Sequence, residues 1–568
     1  MLVAARKVLM GRTIRLGLLL DSFTQPRWVY EAVRLALEVP DVELALVMLN
    51  ATESEVPQPR SLVARLSSLL RNRKYLLAAL YDWVDGWRSP PSFAFEQVDM
   101  RSLLANVPVL RVQPRRSAYR DAFADDDVRR IQEYRLDVAV RFGFRILTGS
   151  VLGIARYGVW SYHHGDNRRY RGGPPGFWEV MEESPASGAV LQVLSEVLDG
   201  GRTLYRGVTA TVPFSARRNR ERVTLMAIPF LARALRRLAE LGEPYCAEGS
   251  HPVVEPYSRR LYRRAENRDV LPALGRLLVR YGRSHAAALL AEQRWTIGYY
   301  LTNDSGGDVP LLAAYRYRLL EPPSDRFWAD PFPVDLGSGK GVLVEEFAEC
   351  EGRGCIAFLE LGQSGLVGAP VRVIDADYHL SYPFVFNYRG STFLMPESAE
   401  RRRLEVWRAV RFPYEWTLEA VSLEGLSLRD PTLVGVGGRW WLFAEEEGEF
   451  GRVGGALVLF HSMSPLGPWV PHRCNPVLTD ATCARPAGRP FAIGGNLFRP
   501  AQIGVPNYGW GITFQRVVAL DEWRYEEVPV GRIEPAWRPD VAGIHTINAA
   551  GGLSVVDVRL RRRRKFRR

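Results

Sequence analysis

The chain has 568 residues, which is too many for one hydrophobic core, so we expect two to four domains. Hydrophobic residues make up 47% and charged residues 24%, values that are ordinary for globular protein and that exclude wholesale disorder and collagen-like repetition. The formal net charge is +12, but eight basic residues fall in the last ten positions, which leaves +4 for the rest and gives little reason to expect a nucleic-acid partner.

The cysteines and the first apolar run indicate the cellular compartment of the protein. Five cysteines form no C-x-x-C pair, so the sequence predicts neither a disulfide framework nor a structural metal site, and it favours a reducing compartment. Residues 16–20 form an early apolar run between Arg15 and Asp21 that is too short for a secretory leader or a membrane span. We therefore expect a cytoplasmic protein.

The first 220 residues alternate between two kinds of segment. Strand-like runs cover residues 14–20, 42–49, 109–112 and 136–142, and helix-like runs cover residues 28–37 and 126–134. This alternation predicts a parallel sheet covered by helices, with its ligand site at the carboxyl ends of the strands. The first strand is not followed by a Gly-rich dinucleotide turn, which disfavours a nicotinamide or flavin cofactor.

A helical connector is predicted for residues 221–295. Residues 230–238 place apolar side chains at helical spacing, and the pattern stops at Gly242. Residues 286–292 form a second helical piece, and residues 248–266 predict an exposed loop.

Five similar segments follow one another in residues 296–558. Each opens with a short motif, runs through a polar turn and continues in an apolar strand, and the openings are 48 to 59 residues apart. The openings centre on Asp330, Tyr382, Asp430, Pro486 and His545. Repeats of this length built from short strands predict a β-propeller of five blades. The alternative is a β-sandwich with coincidental Asp-Pro turns.

The last ten residues, 559–568, are strongly basic. We expect them to form a solvated tail. The alternative is a weak contact with an anionic membrane, to which each basic residue near the surface contributes roughly 1 kcal/mol.

A succession of motifs in the first half resembles the folate-dependent formyltransferases. His163, the Tyr-Arg-Gly sequence at 170–172 and Asp199 in a Leu-Asp-Gly-Gly turn fall in that family's order, with 36 residues from His163 to Asp199. Ser161 stands where the family has asparagine. The resemblance covers about residues 13–215. It implies a Rossmann-like domain that transfers the formyl group of 10-formyltetrahydrofolate to an amine.

The same resemblance implies the roles of individual residues. An amine that attacks a formyl carbon needs a donor for the developing oxyanion and an acceptor for its proton, roles that fall to the catalytic residues His163, Asp199 and Ser161. A serine hydroxyl reaches less far than an amide, so we expect weak transfer. The cofactor would be held by Arg145, Ile146, Leu147 and Asp199, and the substrate would contact His164, Asp166, Tyr170 and Arg171.

Residues 296–558 resemble two groups of five-bladed propellers. Motifs such as His-Leu-Ser-Tyr-Pro at 379–383 and Arg-Pro-Ala-Gln at 499–502 resemble the N-terminal domain of plant glucosamine inositolphosphorylceramide transferases. The repeats also resemble glycoside hydrolases that act on arabinans. Both resemblances imply a central channel with substrate-binding side chains, which we expect to be Asp330, Tyr382, Glu397, Asp430, Arg485, Arg499 and His545, with Glu345 beside them.

Three functions remain open at this point. The leading one is N-formylation of an amino sugar or glycan precursor, with a propeller that recognises the carbohydrate. The alternative is a propeller glycoside hydrolase or glycosyl-transfer module that carries a degenerate formyltransferase domain. The third is a glycan-binding scaffold in which both sites are inactive.

Overall fold

The computed structural model describes residues 13–52, 72–242, 257–302, 309–337, 339–448 and 450–564. The chain divides into two compact units, a first unit of residues 1–281 and a second unit of residues 282–568. Cys246, residues 248–256 of the predicted loop at 248–266 and residues 565–568 lie outside the described residues. Within the described part of the chain, none of the helices combines the length and the apolar character that crossing a membrane requires.

The first unit contains twelve strands and seven helices in its described part, the last helix continuing into the second unit. The strands are β1 (Ile14–Leu20), β2 (Thr24–Pro26), β3 (Val42–Asn50), β4 (Gln97–Asp99), β5 (Val109–Val112), β6 (Arg115–Arg116), β7 (Arg120–Ala122), β8 (Val138–Arg141), β9 (Ile146–Leu147), β10 (Val159–His163), β11 (Ala186–Val193) and β12 (Arg202–Ala210). The helices are α1 (Arg27–Leu37), α2 (Leu76–Arg88), α3 (Asp125–Gln132), α4 (Phe177–Met181), α5 (Ala216–Ala227), α6 (Phe230–Leu241) and α7 (Asn267–Leu290).

The predicted parallel sheet is confirmed. Strands β5, β3, β1, β8 and β10 lie side by side in this order and are parallel, whereas β11 and β12 extend the sheet antiparallel, each to the strand before it. The chain builds outward from β1 in both directions, so the order of strands reverses between β1 and β8. In open parallel sheets the ligand crevice lies at the carboxyl ends of the strands beside such a reversal.

Residues 216–241, assigned from the sequence mostly to a connector, belong to the core of the first unit. Helix α6 packs against α1, and Phe230 and Leu235 are completely buried. Gly207 on β12 lies so close to Phe230 and Met226 that any side chain there would collide with them. The amphipathic pattern at 230–238 therefore marks a helix that covers the sheet.

The second unit consists of five antiparallel sheets in its described residues. We name them the terminal sheet and sheets I to IV. In chain order the strands are β13 (Ala291–Leu301) and β14 (Arg318–Leu319) of the terminal sheet; β15 (Arg326–Asp335), β16 (Lys340–Ala348), β17 (Arg353–Gly362), β18 (Gly365–Leu366) and β19 (Val371–Ile374) of sheet I; β20 (Ser381–Tyr388), β21 (Ser391–Glu397), β22 (Leu404–Arg411) and β23 (Glu415–Ser422) of sheet II; β24 (Leu428–Val436), β25 (Arg439–Gly448), β26 (Gly451–Ser462), β27 (Val470–Pro471) and β28 (Leu478–Asp480) of sheet III; β29 (Phe491–Ile493), β30 (Asn496–Ile503), β31 (Gly511–Leu520) and β32 (Tyr525–Ile533) of sheet IV; and β33 (Val541–Gly543), β34 (Ile547–Ala550) and β35 (Leu553–Arg563) of the terminal sheet.

The terminal sheet corrects two expectations. Strand β13 pairs with β35 from Ala291 opposite Arg563 to Leu301 opposite Leu553. Residues 559–563 were expected in a solvated tail but lie in this sheet. The buried Leu560 alternates with charged residues, which is the pattern of a half-buried strand. The helical piece expected at 286–292 is the end of α7, which stops at Leu290.

The first strands of sheets I, II and III share an unusual feature. Asp330, Tyr382 and Asp430 each precede a proline and have positive φ angles of 49°, 46° and 49°. At each of these positions the register between the first and second strands shifts. The sequence repeat thus corresponds to a repeated β-bulge, which turns the residue before the proline out of the ladder. The arrangement of the sheets as blades around one axis stays a prediction.

Candidate functional sites

The first site is built on the carboxyl end of β10. His163 is the last residue of this strand, and Asp199 lies in the loop between β11 and β12. His163 Nδ1 is 3.5 Å from a carboxylate oxygen of Asp199, and Nε2 is 2.8 Å from the carbonyl oxygen of Tyr170. Because a carbonyl only accepts, the Nε2 atom carries a proton. The structure therefore brings together the two residues that the spacing predicted.

The loop that contains Asp199 is held in place by backbone. Asp199 has a φ of 52°, and its second carboxylate oxygen accepts a hydrogen bond of 2.9 Å from the N–H of Gly172. Gly172 has a φ of +94°, and a Cβ there would lie 2.2 Å from the carbonyl oxygen of Tyr262. Only glycine fits at this contact, which explains the glycine of the Tyr-Arg-Gly motif.

Ser161 shares the strand face of His163 because residues two apart on a strand point to the same side. Arg141, at the end of β8, donates from Nε to the Ser161 hydroxyl at 3.0 Å and from a terminal nitrogen to the Arg145 carbonyl at 2.8 Å. Burial lowers the pKa of Arg141, and the carboxylates of Asp199, Asp21 and Asp121 oppose this shift. Arg141 was not among the predicted site residues, although a charged residue that ends an apolar strand is a usable signal.

The residues expected to hold a folate occupy different environments. Arg145 donates to Asp121 from Nε at 2.9 Å and from a terminal nitrogen at 2.7 Å, so its side chain is engaged in a partly buried ion pair. Leu147 is buried in the core, and Ile146 is half-buried. Of the three, Arg145 meets the site through its carbonyl group, which accepts from Arg141.

The residues expected to contact the substrate are also distributed. Asp166 forms an ion pair of 2.6 Å with Arg206, and Arg171 is buried with its guanidinium 4.5 Å from the centre of the Tyr257 ring. Tyr170 is buried and contributes its carbonyl to His163. His164 packs between Trp28 and Tyr162, away from His163, because neighbouring residues on an extended strand point to opposite sides. Burial lowers the pKa of His164 to about 3, so it stays neutral.

The second site lies in the second unit and contains one arginine and five buried acidic side chains, which are Asp330, Glu345, Glu397, Asp430 and Asp557. Arg485 donates to Asp430 from Nε at 2.6 Å and from a terminal nitrogen at 3.1 Å, and it lies 3.6 Å from Glu397. The backbone N–H of Asp430 donates to Glu397 at 3.1 Å. Gln502, which the sequence analysis did not assign, donates to Asp430 at 2.6 Å. Asp430 thus accepts hydrogen bonds from both a guanidinium and an amide.

The acidic groups of this site differ in their pKa values. Burial, with the nearby Asp430, raises the pKa of Glu397 to about 8. Burial raises that of Asp330 to about 6, although His545 lowers it, and burial with Asp330 and Glu397 raises the pKa of Glu345 strongly. The site therefore offers protonated carboxylic acids beside a carboxylate near neutral pH, the combination that acid–base chemistry needs.

His545 and Tyr382 complete the second site. His545 lies 3.7 Å from Asp330 and contacts Asp557, and these carboxylates raise its pKa despite burial. Asp330, His545 and Asp557 bring possible ligand atoms within 4.8 Å of one another, so these three could hold a metal ion. The Tyr382 hydroxyl lies 2.8 Å from that of Thr432 and is fixed there by the N–H of Gly488.

Arg499 is placed apart from this cluster. Its guanidinium donates to Glu527 at 2.7 and 2.9 Å and to the carbonyl of Cys483 at 2.7 Å, and it is completely buried. Arg499 and Gln502 are three residues apart on β30 and therefore point to opposite faces. Gln502 donates to Asp430, whereas Arg499 pairs with Glu527 and so joins strands β30 and β32 of sheet IV.

Comparison with known proteins matches the second unit to one family. Residues 342–536 match the family "Glucosamine inositolphosphorylceramide transferase 1, N-terminal". The protein "Glucosamine inositolphosphorylceramide transferase 1" of Oryza sativa subsp. japonica is 41% identical over 208 residues, which are 36% of this chain and 28% of that protein. The chain thus spans less than a third of the length of this relative.

Other similarities are shorter or more remote. A methionyl-tRNA formyltransferase of Prochlorococcus marinus is 34% identical over 76 residues, 13% of this chain and 22% of that protein. Among solved structures, glycinamide ribonucleotide transformylase 1 from Symbiobacterium toebii has a TM-score of 0.27 and 15% identity, covering 40% of this chain and 89% of its own. The family 117 glycoside hydrolase Zg3597 from Zobellia galactanivorans has a TM-score of 0.31 and 14% identity, covering 48% and 90%.

Proposed function

We propose that the first unit transfers the formyl group of 10-formyltetrahydrofolate to the amine of an amino sugar or glycan precursor, and that the second unit is a five-bladed propeller that binds the carbohydrate. One observation carries this proposal: His163 and Asp199 meet at the carboxyl end of β10, with Ser161 on the same strand face. An imidazole, a carboxylate and a hydroxyl are the groups that amine acylation requires.

Because Nε2 donates to the Tyr170 carbonyl, Nδ1 is the ring nitrogen of His163 that faces the reacting amine in this proposal. We expect Nδ1 to take the proton that the amine loses on attack, and Asp199, 3.5 Å away, to stabilise the resulting imidazolium. The Ser161 hydroxyl accepts from Arg141 and donates to the Tyr162 carbonyl at 3.3 Å, a bond that it would exchange for one to the developing oxyanion. Because Arg141 is buried, its charge strengthens this hydrogen bond more than it would in water.

The loop before β12 fits a flat donor such as a pterin. Val197 and Leu198 precede Asp199 and are 45% and 37% exposed, so they offer an apolar surface beside the carboxylate. Gly200 and Gly201 follow, and a Cβ at Gly201 would collide with the backbone of Val193, so the loop lies close to β11. When bound, the folate supplies a formyl group whose bond to N10 breaks as the new C–N bond forms.

The carbohydrate part of the proposal is supported by the second site. Carboxylates, a guanidinium and a tyrosine hydroxyl converge there, and such groups bind sugar hydroxyls. The family and the rice relative matched by this unit are both named for a glucosamine inositolphosphorylceramide transferase, which supports a sugar-containing ligand.

The test is formation of an N-formyl product from glucosamine or UDP-glucosamine with 10-formyltetrahydrofolate, followed by mass spectrometry. His163→Asn and Asp199→Asn should each abolish transfer, whereas Asp126→Asn, an exposed carboxylate on α3, should leave it unchanged. Calorimetry with 5-formyltetrahydrofolate should detect folate binding. The absence of both folate binding and product in the folded wild-type protein would overturn the proposal.

A second candidate function is cleavage or transfer of a glycosidic bond by the second unit. The observation that favours it is the contrast between Glu397, with a pKa of about 8, and Asp430, which accepts hydrogen bonds from Arg485 and Gln502. Release of reducing sugar from a glycan, lost in Glu397→Gln and Asp430→Asn but retained in Glu424→Gln on the surface, would establish it.

A further inference from the structure

A cavity of about 650 Å³ lies in the first unit, outside the His163 site. Its volume is in the range of sites that bind small molecules. Its walls come from α2, the segment after α2, the turn before α4, and α5. The residues that matter for its chemistry are Asp82, Asp85, Phe95, Glu96, Arg217 and Arg220.

Two guanidinium groups give the cavity a cationic wall. Arg217 and Arg220 are three residues apart on α5 and so lie on the same helix face. The Arg220 guanidinium lies 4.2 Å from the centre of the Phe95 ring. In the described part of the chain neither side chain forms an ion pair. Burial and the charge of Arg217 lower the pKa of Arg220, so the two cations repel each other in the absence of an anion.

The carboxylates of the cavity do not neutralise this wall. Asp85 accepts from the Ser215 hydroxyl at 2.5 Å and from the backbone N–H of Arg217 at 2.8 Å, so it caps the start of α5. Glu96 forms an ion pair of 2.8 Å with Arg27. Asp82 remains. Burial and Asp85 raise its pKa, and the charges of Arg264 and Arg217 oppose this rise only in part. It faces the same space as the arginines and suits the hydroxyl groups of a sugar.

The cavity and the transfer site are linked through one segment of chain. Pro174 and Pro175, which line the cavity, come two and three residues after Gly172, whose N–H donates to Asp199. Arg220 also lies close enough to His164 to lower its pKa, and the His164 side chain points to the side opposite His163.

We propose that this cavity binds a phosphorylated amino sugar, with the phosphoryl group on Arg217 and Arg220 and the sugar hydroxyls towards Asp82. A phosphate carries two negative charges and accepts from both guanidiniums, which relieves their repulsion. The role of this ligand as the acceptor rests on the proposed formyl transfer, whereas its binding does not. The phosphoryl group belongs either to a sugar phosphate or to a sugar nucleotide.

The experiment is calorimetry on the full chain with glucosamine 1-phosphate, UDP-glucosamine and free glucosamine. The wild type should bind a phosphorylated probe at least about 10-fold more tightly than glucosamine, and the double variant Arg217→Gln/Arg220→Gln should lose this preference. Arg218→Gln, which removes an exposed arginine of the same helix that does not line the cavity, is the matched control and should retain it. Equal melting temperatures verify that all variants are folded.

The outcomes separate the two proposals. Preference for a phosphorylated probe in the wild type, lost in the double variant, supports the cavity site even if no formyl product is ever found. Which of the two phosphorylated probes binds more tightly identifies the source of the phosphoryl group. Equal affinity for all three probes, or an equal loss in Arg218→Gln, overturns the cavity site and leaves the assay of His163 variants unaffected.

Discussion

Glu397 makes the stability of the second unit depend on pH in an unusual direction. It is 7% exposed, accepts from the N–H of Asp430 at 3.1 Å and has its pKa raised from 4.5 to about 8, first by burial and then by the neighbouring carboxylate. Between these two pH values the folded protein keeps the proton and the unfolded chain loses it. Folding then binds a proton, so the free energy of unfolding falls as pH rises.

The magnitude follows from the size of the pKa rise. One pH unit is worth about 1.4 kcal/mol for one proton, so a rise of this size corresponds to about 5 kcal/mol over the whole range. We expect Glu397→Gln to remove that part of the pH dependence, because an amide of nearly the same shape accepts from the Asp430 N–H and does not ionise. The variant should gain on the wild type as pH rises from about 5 to 8.

Urea unfolding of the full chain at several pH values between these limits measures the effect, and infrared spectroscopy gives an independent reading. The carbonyl stretch of a protonated carboxylic acid should persist at pH 7 in the wild type and lose intensity in Glu397→Gln. Asp330 and Glu345 have raised pKa values too, so only the difference between the two proteins isolates Glu397. Glu424→Gln on the surface is the control. Parallel stability curves for Glu397→Gln and the wild type would refute the reasoning.

Three further substitutions test other parts of the structure. Arg499→Met should destabilise the second unit by about 3–5 kcal/mol in urea unfolding, because it leaves the Glu527 carboxylate without its partner. Sugar binding should be unchanged. Weaker sugar binding without destabilisation would show that Arg499 belongs to the binding site. Gly172→Ala should cost about 1–3 kcal/mol, since its Cβ would collide with the Tyr262 carbonyl, and lower formyl transfer; wild-type stability would contradict this. Ser161→Asn should raise the transfer rate, because an amide reaches further towards the oxyanion, and an unchanged rate would mean that this position does not touch the reacting group.

The fold could be predicted where apolar patterns are continuous. Strands β1, β3 and β8 read as compact apolar runs because most of their residues are buried on both faces of the parallel sheet. Strand β5, at the edge, alternates exposed and buried residues instead. Helix α7 was not predicted beyond its end, since Pro272, Gly275 and Gly282 interrupt the helical pattern that surrounding residues nevertheless sustain. Its long exposed face gives little amphipathic signal.

The two sites differ in how much the sequence reveals. His163 and Asp199 were paired correctly because their spacing is a property of one motif, and the structure brings them to 3.5 Å. Asp557 was not predicted as a site residue. It accepts from the backbone N–H of Asp330, which is 227 residues away in the chain, and such a contact depends on how the sheets assemble. Arg499 was assigned to the channel because a sequence motif does not show which face of β30 a side chain occupies.

The pairing of β13 with β35 sets the order in which the protein can be made. The sheet joins residues 291–301 to residues 553–563, so about 250 residues must be synthesised before its first strand finds its partner. The first unit ends at Tyr281, with residues 262–277 in its core, so it can fold while translation of the second unit continues. During that interval β13 presents unpaired backbone groups to other chains in the cell. A ribosome that stops shortly before Leu553 would therefore release a first unit attached to a remainder in which β13 lacks its partner strand.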